Sequence, residues 1–158
     1  MPSQNEEEVR SGLRVLLIED NENILESMPT LLENMGCEVA VASTGKDGIT
    51  KTATFKPDVV LVDIGLPDIT GHEVGIQIRS EGYRGIIVAI SGYSHADMRD
   101  KSHRAGIDYH LAKLARLTEL KQILSNVWRT FIAEISEQKI NAFPLIFLIE
   151  LDLFHELD

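Results

Sequence analysis

Acidic residues stand at the ends of two apolar segments that have the composition of buried β-strands. Asp63 follows the segment Asp58–Val62, and Glu19 and Asp20 follow Val15–Ile18. Because the carboxyl ends of parallel strands lie along one edge of an α/β sheet, we expect the three carboxylates to lie close together. Such a cluster could hold a divalent metal ion, or one carboxylate could act as a nucleophile.

Two further polar residues end predicted strands in the same way. Ser91 follows Ile86–Ile90, and Lys113 follows Tyr109–Ala112. A lysine ammonium and a serine hydroxyl both donate hydrogen bonds to phosphate oxygens. Phosphoryl transfer needs mainly positioning and charge stabilisation, so this set of residues is sufficient for it.

The elements that must position these residues alternate between short β-branched segments and helical patterns, which predicts a parallel sheet with helices on both faces. The predicted strands are Arg14–Ile18, Glu38–Ala42, Asp58–Val62, Ile86–Ile90 and Tyr109–Ala112. The predicted helices are Glu22–Met35, Gly45–Thr54, Gly71–Ser80, His95–Ala105 and Leu117–Ile135. Gly36 and Gly106 are expected to end helices, and Pro29 is expected to kink or break the first one. His72, His95 and His103 are expected to be ordinary surface residues of helices.

Composition limits the class of protein. A chain of 158 residues is long enough for one well-filled core and too short for two ordinary domains. Its formal charge of −10 argues against non-specific binding to nucleic acid. The polar, acidic beginning is unlike a signal peptide, and no apolar run approaches the ~20 residues that a membrane span needs. We therefore expect a cytoplasmic protein that has no membrane span.

Five sequence motifs, in the same order, resemble those of the response-regulator receiver domain of two-component signalling. Their amino-acid sequences are most similar to those of receivers associated with hybrid histidine kinases. The resemblance covers about residues 13–127 and rests on Leu17–Asn21, Asp58–Pro67, Gly71, Ala89–Tyr93 and Ala105–Lys113. It implies an α/β fold of the flavodoxin-like (βα)5 type. The sheet would be doubly wound, with five parallel strands in the order 2-1-3-4-5.

The same resemblance implies a phosphoacceptor with bound Mg²⁺. Asp63 would accept the phosphoryl group. Asp20 and Asp63 would bind Mg²⁺ through their side chains, and Gly65 through its backbone carbonyl. Glu19 would act through a water molecule or would position the metal.

Three further residues match the family's response to phosphorylation. Lys113 matches the lysine that pairs with the phosphoryl group, and Ser91 matches the hydroxyl residue that moves to bond it. His110 stands three residues before Lys113, at the position of the family's rotating aromatic switch. The protein would be a phosphoacceptor that assists its own phosphotransfer and dephosphorylation, and would not be classed as an enzyme.

The resemblance also implies a domain organisation and a set of partners. Residues 1–12 would be a flexible segment, 13–137 the receiver domain, and 138–158 an apolar and acidic extension. A histidine kinase or phosphotransfer protein would supply the phosphoryl group, and a downstream protein would respond to the phosphorylated state. The protein would be a stand-alone receiver without a DNA-binding output. The extension could dock on its own domain, form a homodimer or partner contact, or be a disordered end.

Two alternatives stay open. Leu114 follows Lys113 where the family usually has a cis proline, and the sequence leaves open whether this bond is cis or trans. With the extension, this substitution motivates a phosphorylation-independent binding or dimerising adaptor that keeps the receiver fold. The second alternative is a Mg²⁺-dependent phosphatase with an aspartyl intermediate. It ranks lowest because Gly65 stands where the common aspartate-nucleophile hydrolases have a second aspartate.

Overall fold

The computed structural model describes residues 12–92 and 96–112 and, further on, residues 122–127, 129 and 133. The strands are β1 (Arg14–Ile18), β2 (Glu38–Ala42), β3 (Val59–Asp63), β4 (Ile86–Ser91) and β5 (Tyr109–Ala112). The helices between them are α1 (Glu22–Asn34), α2 (Gly45–Phe55), α3 (Gly71–Ser80) and α4 (Ala96–Arg104).

All five strands are parallel and lie in the order β2-β1-β3-β4-β5. This is the sheet order that the resemblance implied, and the fold class is confirmed. Ile18 at the end of β1 is paired with Val62 of β3 and with Ala42 of β2. The pairing therefore brings the carboxyl ends of three neighbouring strands to one edge.

The central strands are buried between helical layers. All five residues of β3 are buried, as are the last four of β1. A parallel strand covered on both faces is apolar along its whole length, which explains the continuous apolar runs in the sequence. One core cluster joins side chains of these strands to Val74 and Ile78 of α3, with Ile49 of α2 packed against it.

Two strands end one residue later than the sequence predicts. Asp58 lies before β3, where its carboxylate accepts the backbone N–H of Arg14 at 2.8 Å. Asp63 instead belongs to the strand, in register with Ile90. Ser91 likewise belongs to β4. The sheet therefore fixes the backbone position of both residues.

The helix ends carry local signals that agree with the sequence. Gly36 and Gly106 have positive φ values of 91° and 78°, as expected of residues that end helices. Of the kink or break expected at Pro29, a break is wrong, because α1 continues through this residue. A proline inside a helix removes one backbone donor, and here the helix tolerates that loss.

The carboxyl end of α3 is tied to two loops by one side chain. The guanidinium of Arg79 donates to the backbone carbonyls of Gly106, Tyr83 and Gly85 at 2.8–3.0 Å, and to the carboxylate of Asp108 at 2.9 Å. A planar group with five N–H donors suits such a junction. These contacts fix α3 relative to β4 and to the turn before β5.

The structure divides at residue 113 into two compact units. All five strands belong to the first unit. In the second, the described residues 122–127, 129 and 133 are helical, in agreement with the helix predicted over Leu117–Ile135. The other residues of that range lie outside the described residues, as do the predicted boundary at 137, the extension 138–158 and residues 1–11.

Within the part of the chain that the structure describes, no helix combines the length and the apolar composition needed to cross a membrane.

Candidate functional site

Three carboxylates meet at the carboxyl edge of the sheet. One ligand oxygen from each of Glu19, Asp20 and Asp63 lies within 4.8 Å of the others. Glu19 is 0 % exposed and Asp63 is 2 % exposed, whereas Asp20 is exposed. Negative groups at this spacing repel one another, so the arrangement favours a ligand that brings positive charge.

The backbone holds the two buried carboxylates in place. The N–H of Glu19 donates to the carbonyl of Ala42 at 2.9 Å, which continues the β1–β2 ladder past its last pair. Glu19 Oε1 accepts the N–H of Asn21 at 3.0 Å, and Asp63 Oδ1 accepts the N–H of Gly65 at 3.0 Å. Each carboxylate thus has one oxygen oriented by the turn that follows its strand.

The loop between β3 and α3 is anchored by Asp68, which the sequence did not single out. Its carboxylate accepts the backbone N–H groups of Gly45 and Lys46 at the start of α2, at 2.8 and 2.9 Å. These hydrogen bonds, that of Lys46 foremost, lower the pKa of Asp68 to about 2. The loop that contains Gly65 is therefore fastened to a second helix.

The start of α3 lies directly against the backbone of Asp63. A Cβ atom placed on Gly71 would lie 2.5 Å from the carbonyl oxygen of Asp63 and 2.8 Å from Cα of Ile64. Only a residue without a side chain fits at this distance. Thr70 and Glu73 form a capping box that begins the helix at this point.

A chain of hydrogen bonds leads away from the end of β4. Ser91 Oγ lies 2.8 Å from His110 Nε2, and Ser102 Oγ of α4 lies 3.1 Å from His110 Nδ1. Ser102 Oγ also lies 3.0 Å from His72 Nε2 at the start of α3. The expectation that His72 is an ordinary surface residue was wrong, because it is half-buried and belongs to this chain.

The structure brings most of the predicted site residues to the same edge of the sheet. Ser91 follows Ile90, the partner of Asp63 in the β3–β4 register, and it contacts His110 of β5. Gly65 is exposed in the loop after β3. Lys113 lies outside the described residues, as does the following Leu114.

Sequence reasoning missed three residues at this edge, namely Asp68, Ser102 and the role of His72. Asp68 is a loop residue that does not directly follow a strand, and Ser102 is one of several polar residues of α4. Their contacts are with residues more than seven positions away in the chain, so no local pattern signals them.

The donor set fits Mg²⁺. The three side chains supply only oxygen, the ligand that this hard cation prefers, and Mg²⁺ is commonly bound through one or two carboxylates while it keeps several waters. The one exposed carboxylate, Asp20, leaves the cluster open to solvent on one side. The residues present therefore suit a partly hydrated divalent ion.

The comparison with known proteins supplies the family. Residues 15–125 match the model of the response regulator receiver domain, which is most of the chain. The chain belongs to this family. The resemblance noted from the five motifs is thereby confirmed.

Individual receiver relatives agree with this assignment. The chain is 32% identical over 120 residues to the sensor histidine kinase AtsR from Burkholderia thailandensis, a match that covers 73% of this chain and 20% of the kinase. The chain thus spans about a fifth of the length of that relative.

Two solved receiver structures are also similar. A CheY-like receiver domain protein from Methanospirillum hungatei is 26% identical with a TM-score of 0.71, over 77% of this chain and 98% of the other. The receiver domain of the sensor histidine kinase PA1611 from Pseudomonas aeruginosa is 26% identical with a TM-score of 0.68, over 75% and 98%. That structure has a magnesium ion coordinated in its active-site cleft.

Proposed function

We propose that this receiver is a phosphorylation switch in which Asp63 accepts a phosphoryl group from a histidine kinase or a phosphotransfer protein. The observation that carries the proposal is the position of Asp63. It is the last residue of the central strand, it is buried, and its carboxylate lies within 4.8 Å of two other carboxylates. A turn-capping aspartate has no need of two acidic neighbours.

In the proposed transfer, a carboxylate oxygen of Asp63 attacks the phosphorus of a phosphohistidine. The P–N bond breaks, the imidazole leaves with the bonding electrons, and Asp63 becomes an acyl phosphate. Asp63 Oδ1 is oriented by the N–H of Gly65, so the carboxylate is held in one direction before the donor arrives. This pre-set orientation is what an in-line transfer needs.

Mg²⁺ would be held by the side chains of Asp20 and Asp63 and by the carbonyl of Gly65, with Glu19 acting through a water or positioning the ion. When bound, the ion supplies positive charge that offsets the carboxylates and the phosphoryl oxygens. Asp68 contributes indirectly, because it fixes the loop that carries Gly65.

The phosphorylated state would be sensed at Ser91, Lys113 and His110. The Ser91 hydroxyl donates to a phosphoryl oxygen, and the Lys113 ammonium pairs with another. His110 is already within 2.8 Å of Ser91 Oγ, so a change at Ser91 reaches β5 directly. This accounts for how modification of Asp63 alters a surface that another protein can bind.

We further propose that the receiver extends over residues 13–137 and that its output is a protein contact. The formal charge of −10 is unsuited to a DNA backbone, which makes a protein partner or a second copy of the chain the better candidate. We propose the cytoplasm as the location, because a kinase makes the phosphohistidine donor from ATP.

Labelling with a small phosphodonor tests the proposal. Wild-type chain treated with acetyl phosphate and MgCl₂ is expected to gain one phosphoryl group, measured by intact-mass spectrometry and located on Asp63 by peptide mapping. Without Mg²⁺, or in Asp63→Asn, the added mass should be absent. Asp100→Asn, which removes an exposed aspartate of α4, is the matched control and should be labelled like the wild type.

The alternatives give different results. An adaptor that works without phosphate would show no label on Asp63 in any condition, and that outcome would refute the proposal. A phosphatase would release many equivalents of phosphate from a phosphomonoester, whereas a phosphoacceptor does not turn over such a substrate.

A further inference from the structure

Four side chains from four elements form a continuous polar chain. It runs from Ser91 at the end of β4 to His110 of β5, then to Ser102 of α4 and to His72 of α3, with successive distances of 2.8, 3.1 and 3.0 Å. Ser91 and Ser102 are only 4 % and 2 % exposed. Buried polar chains of this kind favour the arrangement in which every contact has one hydrogen.

The count of hydrogens restricts how the chain can be arranged. A hydroxyl has one hydrogen, and a neutral imidazole has one hydrogen on either Nδ1 or Nε2. If His110 has its hydrogen on Nε2, it donates to Ser91, so Ser102 must donate to Nδ1. The hydrogen of Ser102 is then in use, and only a hydrogen on His72 Nε2 can complete the last contact.

The opposite arrangement begins with the hydrogen of His110 on Nδ1. His110 then donates to Ser102, and Ser91 must donate to His110 Nε2. Ser102 is released to donate to His72 Nε2. The tautomer of His110 therefore determines the direction in which the hydroxyl groups of Ser91 and Ser102 donate their hydrogens.

We propose that Ser102 and His72 are positioning residues, which direct the single hydrogen of the Ser91 hydroxyl toward the phosphoryl group. This inference rests on the proposed function. When Ser91 donates to a phosphoryl oxygen, its hydrogen is committed, so it must accept from His110 Nε2. The chain then takes the first arrangement throughout, and phosphorylation of Asp63 fixes the tautomer of His72 at the first turn of α3.

The tautomers can be read directly by nuclear magnetic resonance. Full-length chain with ¹⁵N-labelled histidine is studied at about pH 8, where an ordinary imidazole is neutral. Beryllofluoride with Mg²⁺ serves as the phosphoryl mimic. We expect both His110 and His72 to carry their hydrogen on Nε2 in the beryllofluoride state, with a higher Nε2–H fraction at His72 than in the untreated protein.

Variants distinguish an effect of the hydrogen-bonded chain of side chains from a general loss of structure. In Ser102→Ala the tautomer of His72 should no longer respond to beryllofluoride, and labelling of Asp63 by acetyl phosphate should slow about two- to tenfold, the scale of one lost hydrogen bond. Ser80→Ala is the matched control, because the exposed Ser80 hydroxyl donates to the carbonyl of Gln77 in its own helix at 2.6 Å. It should leave both readouts unchanged.

A second variant covers the case in which Ser102→Ala does not fold. His72 is half-buried at the start of α3, so His72→Phe removes one end of the chain with less disturbance of the core. Without the His72 nitrogen, the Ser102 hydrogen is left to His110 Nδ1. We expect a higher Nε2–H fraction at His110 in the untreated variant than in the untreated wild type.

Two results would overturn the inference, and they are distinguishable. If beryllofluoride shifts the backbone resonances around Asp63 while the tautomer of His72 stays unchanged, the chain does not transmit the state of Ser91 and the proposed function stands. If beryllofluoride produces no Asp63-dependent shift at all, the proposed function fails and the inference fails with it.

Discussion

Asp63 ends β3 and Asp68 lies five residues later in the loop that follows, and the two carboxylates have different surroundings. Asp63 is buried and directed into the acidic cluster, whereas Asp68 is exposed and bonded to the amides that begin α2. Exposed amides at the start of a helix lack partners within that helix, and a carboxylate satisfies them well. The same residue type thus contributes to the acidic cluster at one position and to loop geometry at the other.

The lowered pKa of Asp68 predicts a pH effect on stability. Because the pKa of Asp68 is about 2 in the folded protein, against an ordinary value of 3.8, the ionised carboxylate favours the folded state. This contribution is complete above about pH 4 and is lost as the pH falls toward 2. In Asp68→Asn the urea midpoint should therefore lie below that of the wild type at pH 6, and the gap should narrow between pH 4 and 2.

Asp100→Asn is the control for that experiment, since it removes an exposed aspartate of α4. Its urea midpoint should follow the wild type at every pH. A gap between Asp68→Asn and the wild type that stays constant down to pH 2 would show that the loop anchor does not depend on ionisation.

The acidic residues and Ser91 that sequence reasoning grouped share one property, which is their position at or directly after a strand end. Parallel topology brings such positions to one edge, so Glu19, Asp63 and Ser91 could be grouped before any contact was known. Asp68 and Ser102 could not, because their contacts depend on how loops and helices pack across the sheet edge. Side-chain pairing between separate elements has no local sequence pattern.

At the scale of elements, α3 and β3 are joined through Gly71. The Cβ of any other residue would meet the backbone of Asp63 and Ile64, which cannot rotate away as a flexible side chain can. A close approach of backbone to backbone is one of the few uses for which glycine has no substitute. The family's glycine at this position therefore has a structural explanation in this chain.

Gly71→Ala is predicted to destabilise the protein by about 1–3 kcal/mol, the usual cost of overpacking a well-packed site. It should also lower the rate at which Asp63 is labelled by acetyl phosphate, since the strand end that bears the carboxylate must shift. The measurements are urea unfolding and intact-mass labelling kinetics.

Gly92→Ala is the matched control, because among the described residues, its chain neighbours aside, a Cβ at Gly92 would have no atom within 4 Å. The unfolding free energies of Gly92→Ala and the wild type should agree within about 0.5 kcal/mol. Equal stabilities of Gly71→Ala and Gly92→Ala would contradict the close approach at Gly71.

Strands and helices were predicted to within about one residue at each described end, because periodicity and end signals agree in this chain. There are two exceptions. β3 begins after Asp58, whose carboxylate accepts the amide of Arg14. Proline propensity predicted a kink or break in α1, but the helix continues through Pro29.

At the scale of the whole molecule, the acidic cluster makes the fold responsive to cations. Three carboxylates within 4.8 Å repel one another in the folded protein and separate on unfolding. An ion that binds only the folded state stabilises it by mass action, by about 2.7 kcal/mol at a concentration one hundred times its dissociation constant.

Mg²⁺ is therefore predicted to raise the thermal unfolding midpoint at constant ionic strength. Asp20→Asn should reduce this rise, since Asp20 is the exposed member of the cluster and its replacement leaves the core intact. Differential scanning calorimetry in MgCl₂ against NaCl of matched ionic strength gives the measurement. An identical rise in wild type and Asp20→Asn would place the ion elsewhere.

The overall topology came from two kinds of information. The alternation of strands and helices predicted a parallel α/β sheet from physical pattern alone. The order 2-1-3-4-5 came from the family resemblance, since periodicity does not determine which strands become neighbours. The family match over residues 15–125 and the observed sheet agree with both.

Helix α3 is held at both ends, by Gly71 against the backbone of Asp63 and by Arg79, which bonds to two loops. A helix anchored in this way can serve as a fixed reference point for distance measurements. Ile76 lies between the two anchors and is 56% exposed, so a spin label attached there would keep its place relative to the sheet. Any change in distance between that label and a second one would then measure the displacement of the second label alone.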